Sequence, residues 1–281
     1  MPVPTERRGH VLPPGQRMFH LFKSGRRNEI KERPFPPEWL AFLTEDVPYY
    51  ARLSADDQAE LLGHIQIFLD EKAFEGCGGL TVTDEIRVTI AAQACVLLLH
   101  RNTDYYPDLE SILVYPSTYV VHQIRRAPGG VEIEGDEARL GESWERGAVV
   151  LAWDSVLRGA ANVSDGHNVV LHEFAHQLDQ ETGESNGTPE LTGKSSYSAW
   201  VKVLGADYNA LVAQVHELHK TDIDPYGTTS PAEFFAVVTE AFFEKPKQLR
   251  RLHAALYEQL QLFYQQDPAT RFEDHPAVRV D

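Results

Sequence analysis

The sequence has little cysteine, no long hydrophobic run and few basic residues relative to acidic ones. Only Cys77 and Cys95 occur among 281 residues, and they form no C-x-x-C pair. No disulfide framework is therefore expected, and a reduced, cytoplasmic setting is favoured. The longest apolar run, residues 96–99, is far too short to cross a bilayer. The charged N-terminus has no apolar segment after it, so the sequence predicts no secretory signal.

Acidic residues dominate the charge of the chain. There are 42 Asp and Glu against 26 Lys and Arg, which gives a net charge of −16. Such a surface repels phosphate backbones, so direct nucleic-acid binding is not expected, and the simplest role of the charge is solubility. The length suits one main domain. We predict an irregular N-terminal segment over residues 1–35, a single domain over 36–270 and a tail over 271–281.

The patterning changes from helical to strand-like in the middle of the chain. Runs rich in β-branched and aromatic residues predict strands, at residues 111–115, 119–124, 131–133 and 148–153. Helical periodicity and capping residues predict helices on either side, over residues 37–44, 55–72, 84–98, 196–220, 231–244 and 246–265. We expect these four runs to form one small sheet. The expected fold class is α+β, with this small mixed sheet packed on several helices. The strand at 149–153 has two interpretations, an exposed edge that binds a peptide or an ordinary core strand.

The main functional signal is the pattern His-Glu-x-x-His at residues 172–176. On a helix, His172 and His176 lie one turn apart on the same face, where two imidazoles can bind one metal ion. Glu173 lies about 100° round the helix, within reach of a metal-bound water that it could deprotonate. Ser164 or Asp165 is the expected N-cap of this helix. Two surface histidines on an ordinary helix are the alternative interpretation.

A catalytic zinc site of this kind needs a third protein ligand from elsewhere. The apolar segment 231–243 carries two carboxylates, Glu233 and Glu240, seven residues apart and almost on one face. A carboxylate in such a helix needs a partner, which can be a hydrogen-bond donor or a metal. Glu233 has a competing role, because Ser230 and Glu233 form a capping-box pattern. Spacing alone does not separate Glu233 from Glu240 as the ligand.

Four further histidines are weaker ligand candidates. His100 follows a helix and is expected to interact with the C-terminus of that helix. His122 alternates within a strand, where a half-buried structural role is favoured. His216 and His219 have a spacing that can bind metal, but they lie on a polar helix end and a solvated face is favoured.

Several motifs together resemble the Mlc titration factor A family of bacterial zinc metallopeptidases. They are residues 172–179 (HEFAHQLD), 224–226 (DPY) and 230–237 (SPAEFFAV), with 141–144 (GESW), 149–153 (VVLAW) and 263–268 (FYQQDP). The resemblance covers roughly residues 35–270. It implies a gluzincin-like, zincin-like fold, similar in its catalytic region to the anthrax lethal factor peptidase domain.

The resemblance also implies a set of site residues and an activity. One Zn²⁺ per chain would be held by His172, His176 and Glu233, with Glu173 as the base that activates the zinc-bound water. Tyr226 would donate to the oxyanion. The alternative for Tyr226 is a surface aromatic. Family members are aminopeptidase-like enzymes, so the expected substrate is a peptide.

A regulatory partner is the second implication of the resemblance. The enterobacterial member binds the transcriptional repressor Mlc, which would connect this protein with regulation of glucose phosphotransferase genes. The competing hypothesis is therefore a non-catalytic protein that sequesters a repressor and whose zinc is structural. Two acids are expected near the metal: Asp179, as a residue orienting a ligand or as a helix surface acid, and Glu240, in a supporting role behind the ligands.

Overall fold

The computed structural model describes residues 14–117, 119–126, 132–139, 141–144, 147–191 and 196–271, with side chains for 23–117, 147–191 and 196–271. The helices are α1 (Pro14–Lys31), α2 (Pro37–Asp46), α3 (Ala55–Glu71), α4 (Asp84–Val96), α5 (Trp153–Ala161), α6 (Val169–Gln180), α7 (Tyr197–His216), α8 (Pro231–Glu244), α9 (Pro246–Leu252), α10 (Ala254–Tyr264) and α11 (Pro268–Arg271). The strands are β1 (Ala73–Gly76), β2 (Ser111–Tyr115), β3 (Tyr119–Arg126), β4 (Glu132–Arg139), β5 (Gly141–Trp144) and β6 (Ala148–Ala152). Two 3₁₀ turns span Pro48–Arg52 and Pro225–Thr228.

The main sheet has four strands in the order β1-β2-β6-β5. The first three run parallel, and β5 runs antiparallel to β6. This confirms a small mixed sheet among helices. The prediction that all four β-like runs share this sheet is wrong, because β3 and β4 pair with each other as a separate antiparallel hairpin. The side chain of His122, in β3, lies outside the described part of the chain.

Strand β6 is a core strand. It pairs with β2 on one side and β5 on the other, so the interpretation of residues 149–153 as an exposed edge is wrong. Its length was also overestimated, because Trp153 begins α5, a helix that the sequence analysis missed. Helix α5 buries Val156 and Ala160, and its Gly159 lies so close to the chain that an added Cβ would be 3.1 Å from the Cα of Asn168.

The N-terminal segment contains a helix where an irregular structure is predicted. Residues 14–31 form α1, which packs on α3. Its residue Ile30 is buried, and Arg27 makes two hydrogen bonds of 2.7 and 2.8 Å with the Glu71 carboxylate. The prediction is wrong for α1 because these contacts come from residues distant in the sequence. Residues 272–281 of the predicted tail lie outside the described part.

The predicted helix starts are confirmed where a side chain caps the first turn. The hydroxyls of Ser54, Thr83 and Ser230 accept hydrogen bonds from backbone N–H groups three residues later. The predicted helix over 246–265 is instead two helices, α9 and α10, because His253 leaves the helical conformation and its Nδ1 lies 2.7 Å from Asp207 Oδ1. No helix in the described residues is long and apolar enough to cross a membrane.

Candidate metal centre

Helix α6 carries the His-Glu-x-x-His pattern and begins later than predicted. Its N-cap is Asn168, whose Oδ1 accepts hydrogen bonds from the N–H groups of Val170 at 3.1 Å and Leu171 at 3.0 Å. The predicted start at Ser164 or Asp165 is wrong, because Gly166 has a φ of +75°, which a right-handed helix does not contain. The two histidines are therefore the fourth and eighth residues of a short, well-capped helix.

Helices α6 and α8 lie against each other in opposite directions, and their contact brings three donor atoms together. Glu233 Oε2 lies 3.0 Å from His172 Nε2 and 3.3 Å from His176 Nε2. All three atoms lie within 4.8 Å of one another. The two imidazole rings are 4.9 Å apart, with an interplanar angle of 81°. The structure thus unites the two histidines with the first of the two candidate carboxylates.

The second carboxylate, Glu240, lies behind His172. Its Oε1 accepts a hydrogen bond of 2.7 Å from His172 Nδ1, and its Oε2 accepts one from the Asn168 N–H. Because a carboxylate accepts, Nδ1 carries a proton, and Nε2 is the ring atom of His172 that faces Glu233 and His176. A metal bound between them would take the place of the proton on Nε2. Glu240 therefore orients the His172 ring and binds the start of α6. Of the two carboxylates that spacing left open as the ligand, Glu233 is the one whose oxygen lies beside both histidines.

The capping role of Ser230 and the position of the Glu233 carboxylate are compatible. Ser230 Oγ accepts from the Glu233 N–H at 3.1 Å, while the Glu233 carboxylate extends to the histidines. Burial acts to raise the pKa of Glu233, but hydrogen bonds from His172 and His176 outweigh it and lower this pKa to about 2. The carboxylate is thus held in its charged form, which is the form that binds a cation.

Glu173 is a buried carboxylate beside this donor set. Its side chain is 5% exposed, and its Oε2 has no hydrogen-bond partner among the described residues. Burial raises the pKa of Glu173 to about 7, against a partly compensating effect of the neighbouring histidines. A buried oxygen of this kind needs a polar partner, which no described residue supplies.

Tyr226 lies at the mouth of the site, in the 3₁₀ turn Pro225–Thr228. Its ring centre is 6.0 Å from that of His172, and the residue is 55% exposed. Asp224 supports this turn, since its Oδ1 accepts from the Tyr226 N–H at 2.8 Å and its Oδ2 lies 3.3 Å from His167 Nδ1. The tyrosine is thus held next to the donor set with its ring open to solvent.

Asp179 is fully buried, so its interpretation as a helix surface acid is wrong. Its Oδ2 accepts a hydrogen bond of 2.7 Å from the Gly187 N–H. The other oxygen, Oδ1, and the Nδ1 of His176 both lack hydrogen-bond partners among the described residues. Asp179 therefore binds a loop rather than the histidine.

Sequence reasoning missed Glu244, one turn after Glu240. Its Oε2 accepts from the N–H groups of Gly166 at 3.0 Å and His167 at 3.1 Å, and its Oε1 accepts from Asn168 Nδ2 at 3.2 Å. Burial raises the pKa of Glu244 to about 8. The sequence signal for Glu244 was its position four residues after Glu240 on the same apolar helix. A carboxylate at such a position needs a buried hydrogen-bond donor, as Glu240 does.

The donor set fits a zinc ion. Two imidazole nitrogens and one carboxylate oxygen are zinc ligands, and three protein ligands leave the open position that a catalytic site requires. Within the described residues, this group contains no fourth His, Cys, Asp or Glu donor. His216 and His219 are exposed on the surface. The unpartnered Glu173 oxygen beside the donors is consistent with a water bound in that open position.

Comparison with known proteins agrees with this geometry. The family model described as glucose-regulated metallo-peptidase M90 matches residues 22–265. The chain belongs to the M90 family. An uncharacterized protein of Synechocystis is 45% identical over 244 residues, covering 86% of this chain and 89% of the relative. Mlc titration factor A of Pectobacterium atrosepticum is 30% identical over 238 residues, covering 84% and 88%. The M90 match includes both α6 and α8, the helices that carry the three donor residues.

Proposed function

We propose that this protein is a zinc-dependent, aminopeptidase-like peptidase with a gluzincin-like site on a zincin-like fold. The observation that carries the proposal is the convergence of three donor atoms from His172, His176 and Glu233 beside the unpartnered carboxylate of Glu173. Membership of the M90 family supports the reaction class. Histidine, histidine and glutamate are a known ligand set of catalytic zinc in peptidases.

The chain's own groups divide the reaction between them. Zinc, when bound, acidifies a water molecule and polarises the scissile carbonyl. Glu173 accepts the proton of that water at its carboxylate and later delivers it to the leaving amine nitrogen, for which a pKa of about 7 is well matched. The hydroxyl of Tyr226 donates a hydrogen bond to the oxyanion that forms at the carbonyl. Glu240 holds the His172 ring in its ligating tautomer.

The sheet offers a binding surface for a peptide substrate. Strand β5 is the last strand of the main sheet and lies against α6. Within the described residues β5 has a strand neighbour on one side only, and an extended peptide that paired with its other side would run past the donor set. The sequence offered β6 either as such an edge or as an ordinary core strand; β6 is a core strand, and the proposal for peptide binding therefore concerns β5.

A second candidate function is supported by the names of relatives. Several relatives at about 30% identity are called Mlc titration factor A, which suggests that this chain also binds a Mlc-type transcriptional repressor. If repressor binding were the main task, zinc would be structural. The three-donor site argues for catalysis, since structural zinc is held by four protein ligands. The two functions can coexist in one chain.

The decisive experiment compares wild type with Glu173→Gln on chromogenic aminoacyl and short peptide substrates, with and without a chelator. We expect the chelator to abolish activity, and the variant to lose about 10²- to 10⁴-fold in kcat while keeping its zinc content. If both proteins hold zinc and neither cleaves any substrate, the peptidase proposal is wrong. Binding of a purified Mlc-type repressor by titration calorimetry would then test the regulatory function.

A further inference from the structure

Gly187 lies in the loop that follows α6, and both its backbone N–H and its backbone carbonyl are hydrogen-bonded to buried side chains. Its N–H donates to Asp179 Oδ2 at 2.7 Å, and its carbonyl accepts from the indole Nε1 of Trp200 at 2.9 Å. Asp179 and Trp200 are both buried, and they belong to α6 and α7. The peptide at Gly187 therefore has a fixed position relative to two helices.

Gly187 also lies directly against the first turn of α8. A Cβ added to this residue would be 2.4 Å from the carbonyl oxygen of Pro231 and 2.9 Å from its carbonyl carbon. Pro231 is the first residue of α8 and precedes Glu233 by two positions. Because neither backbone can yield without moving a neighbour, the position of Gly187 limits where the first turn of α8 can lie.

We propose that Gly187 is a positioning residue that holds Glu233 in the metal centre. Asp179 follows His176 on α6, so the connection runs from the histidine helix through the loop to the carboxylate helix. It couples α6 and α8 at the end opposite to Glu240 and Glu244. The proposal rests on the proposed function only in taking Glu233 as a zinc ligand. Groups that orient ligands commonly change metal affinity by roughly 10- to 100-fold.

A matched pair of glycines in the same loop tests the proposal. Gly187 and Gly183 both have positive φ, +76° and +86°, but an added Cβ at Gly183 meets nothing within 4 Å. The backbone strain of an alanine is therefore similar at both, and only Gly187→Ala displaces Pro231. We expect Gly187→Ala to weaken zinc binding roughly 10- to 100-fold and Gly183→Ala less than threefold, measured by competition with a chromophoric chelator.

A double-variant cycle shows whether the effect passes through Glu233. If it does, Gly187→Ala weakens zinc binding in the wild-type background but not in a Glu233→Gln background. An equal loss in both backgrounds would overturn the proposal, since the substitution would then act through general destabilisation or through the histidines. The melting temperature of each zinc-free variant is measured to show whether the substitution destabilises the folded protein.

Two variants of Asp179 provide an independent test if Gly187→Ala does not fold. Asp179→Asn retains an oxygen that can accept from the Gly187 N–H, whereas Asp179→Ala does not. We expect the asparagine to keep most of the zinc affinity and the alanine to lose it, with Glu233→Gln again removing the difference. Equal affinity of the two variants would contradict the proposal.

The outcomes separate this inference from the peptidase proposal, because zinc affinity is measured without substrate. If the wild type has no activity but Gly187→Ala still weakens zinc binding through Glu233, the positioning role is retained and the peptidase proposal is rejected. If the protein is a Glu173-dependent peptidase but Gly187→Ala leaves zinc affinity unchanged, the peptidase proposal is retained and the positioning role is rejected.

Discussion

Two groups of histidine and carboxylate side chains have similar composition in this protein but different surroundings. They are His172, His176 and Glu233 on α6 and α8, and Asp57, Glu60 and His100 around α3. In the second group, Asp57 Oδ2 pairs with Arg271 Nη2 at 2.9 Å and Glu60 Oε1 accepts from the His100 N–H at 2.9 Å. In the first group, no lysine or arginine among the described residues pairs with Glu233.

The comparison shows that donor identity alone does not define a metal site. Around α3, Asp57 is already paired with the permanently charged Arg271, and Glu60 accepts a backbone N–H, so a cation would have to displace existing partners. Between α6 and α8, the described partners of the Glu233 carboxylate are the two imidazoles. Glu240 binds the Nδ1 of His172 on the side of the ring that faces away from Glu233. The α3 group is therefore a structural ion-pair network that holds α11, and the α6–α8 group is the candidate for the metal centre.

The strongest test of this comparison removes one carboxylate from each group. We expect Glu233→Gln to lower zinc affinity at least about 100-fold, because a direct ligand is lost. Asp57→Asn should leave zinc affinity unchanged but destabilise the protein by about 3 kcal/mol, because Arg271 loses its buried partner. Chelator competition and thermal unfolding measure the two effects. An equal loss of zinc affinity in both variants would show that the α3 group also binds metal.

Tyr226 tests whether the metal centre is catalytic. Tyr226→Phe should lower kcat about 100-fold through loss of one oxyanion donor and leave zinc affinity unchanged. Tyr197→Phe, which changes another half-exposed tyrosine on α7, is the control and should retain full activity. Unchanged kcat in Tyr226→Phe would assign the ring to surface packing.

The carboxylates behind the histidines offer a smaller contrast. Glu240 holds His172 in the metal centre, and Glu60 lies 3.1 Å from His64 Nε2 in the α3 group. We expect Glu240→Ala to lower zinc affinity about 10-fold, because the ring orientation is lost, and Glu60→Ala to have no effect on it. Isothermal titration of zinc-free protein measures both. A normal affinity in Glu240→Ala would remove its orienting role.

The α3 group should be visible in the acid stability of the protein. The hydrogen bond with His64 lowers the pKa of Glu60 from 4.5 to about 2, although burial opposes this. Its stabilisation is therefore complete above about pH 4.5 and is lost as the pH falls towards 2. We expect wild type to exceed Glu60→Gln by about 1–2 kcal/mol at pH 7, with the difference shrinking by pH 3. A constant difference across this range would contradict the assignment.

Local signals in the sequence predicted the elements that depend on local physics. The amphipathic period and Ser230 predicted the limits of α8, and the motif identified the two histidines of α6. Long-range contacts decided the rest. Helix α1 depends on Glu71, the start of α6 depends on carboxylates of α8, and strand order put β5 rather than β6 at the edge. The choice between Glu233 and Glu240 depended on the direction of α8 against α6, which spacing does not contain.

The same long-range geometry determines when the metal centre can exist. His172 and Glu233 are 61 residues apart, and the capped start of α6 requires Glu240 and Glu244 from α8. At about 5–20 residues per second, a ribosome needs about 3–12 s to proceed from the histidines to the carboxylate. A growing chain consequently displays the His-Glu-x-x-His segment without its third ligand. The three donor atoms come together only after most of the protein has been synthesised and α8 has docked, so an unfinished chain does not contain the assembled site.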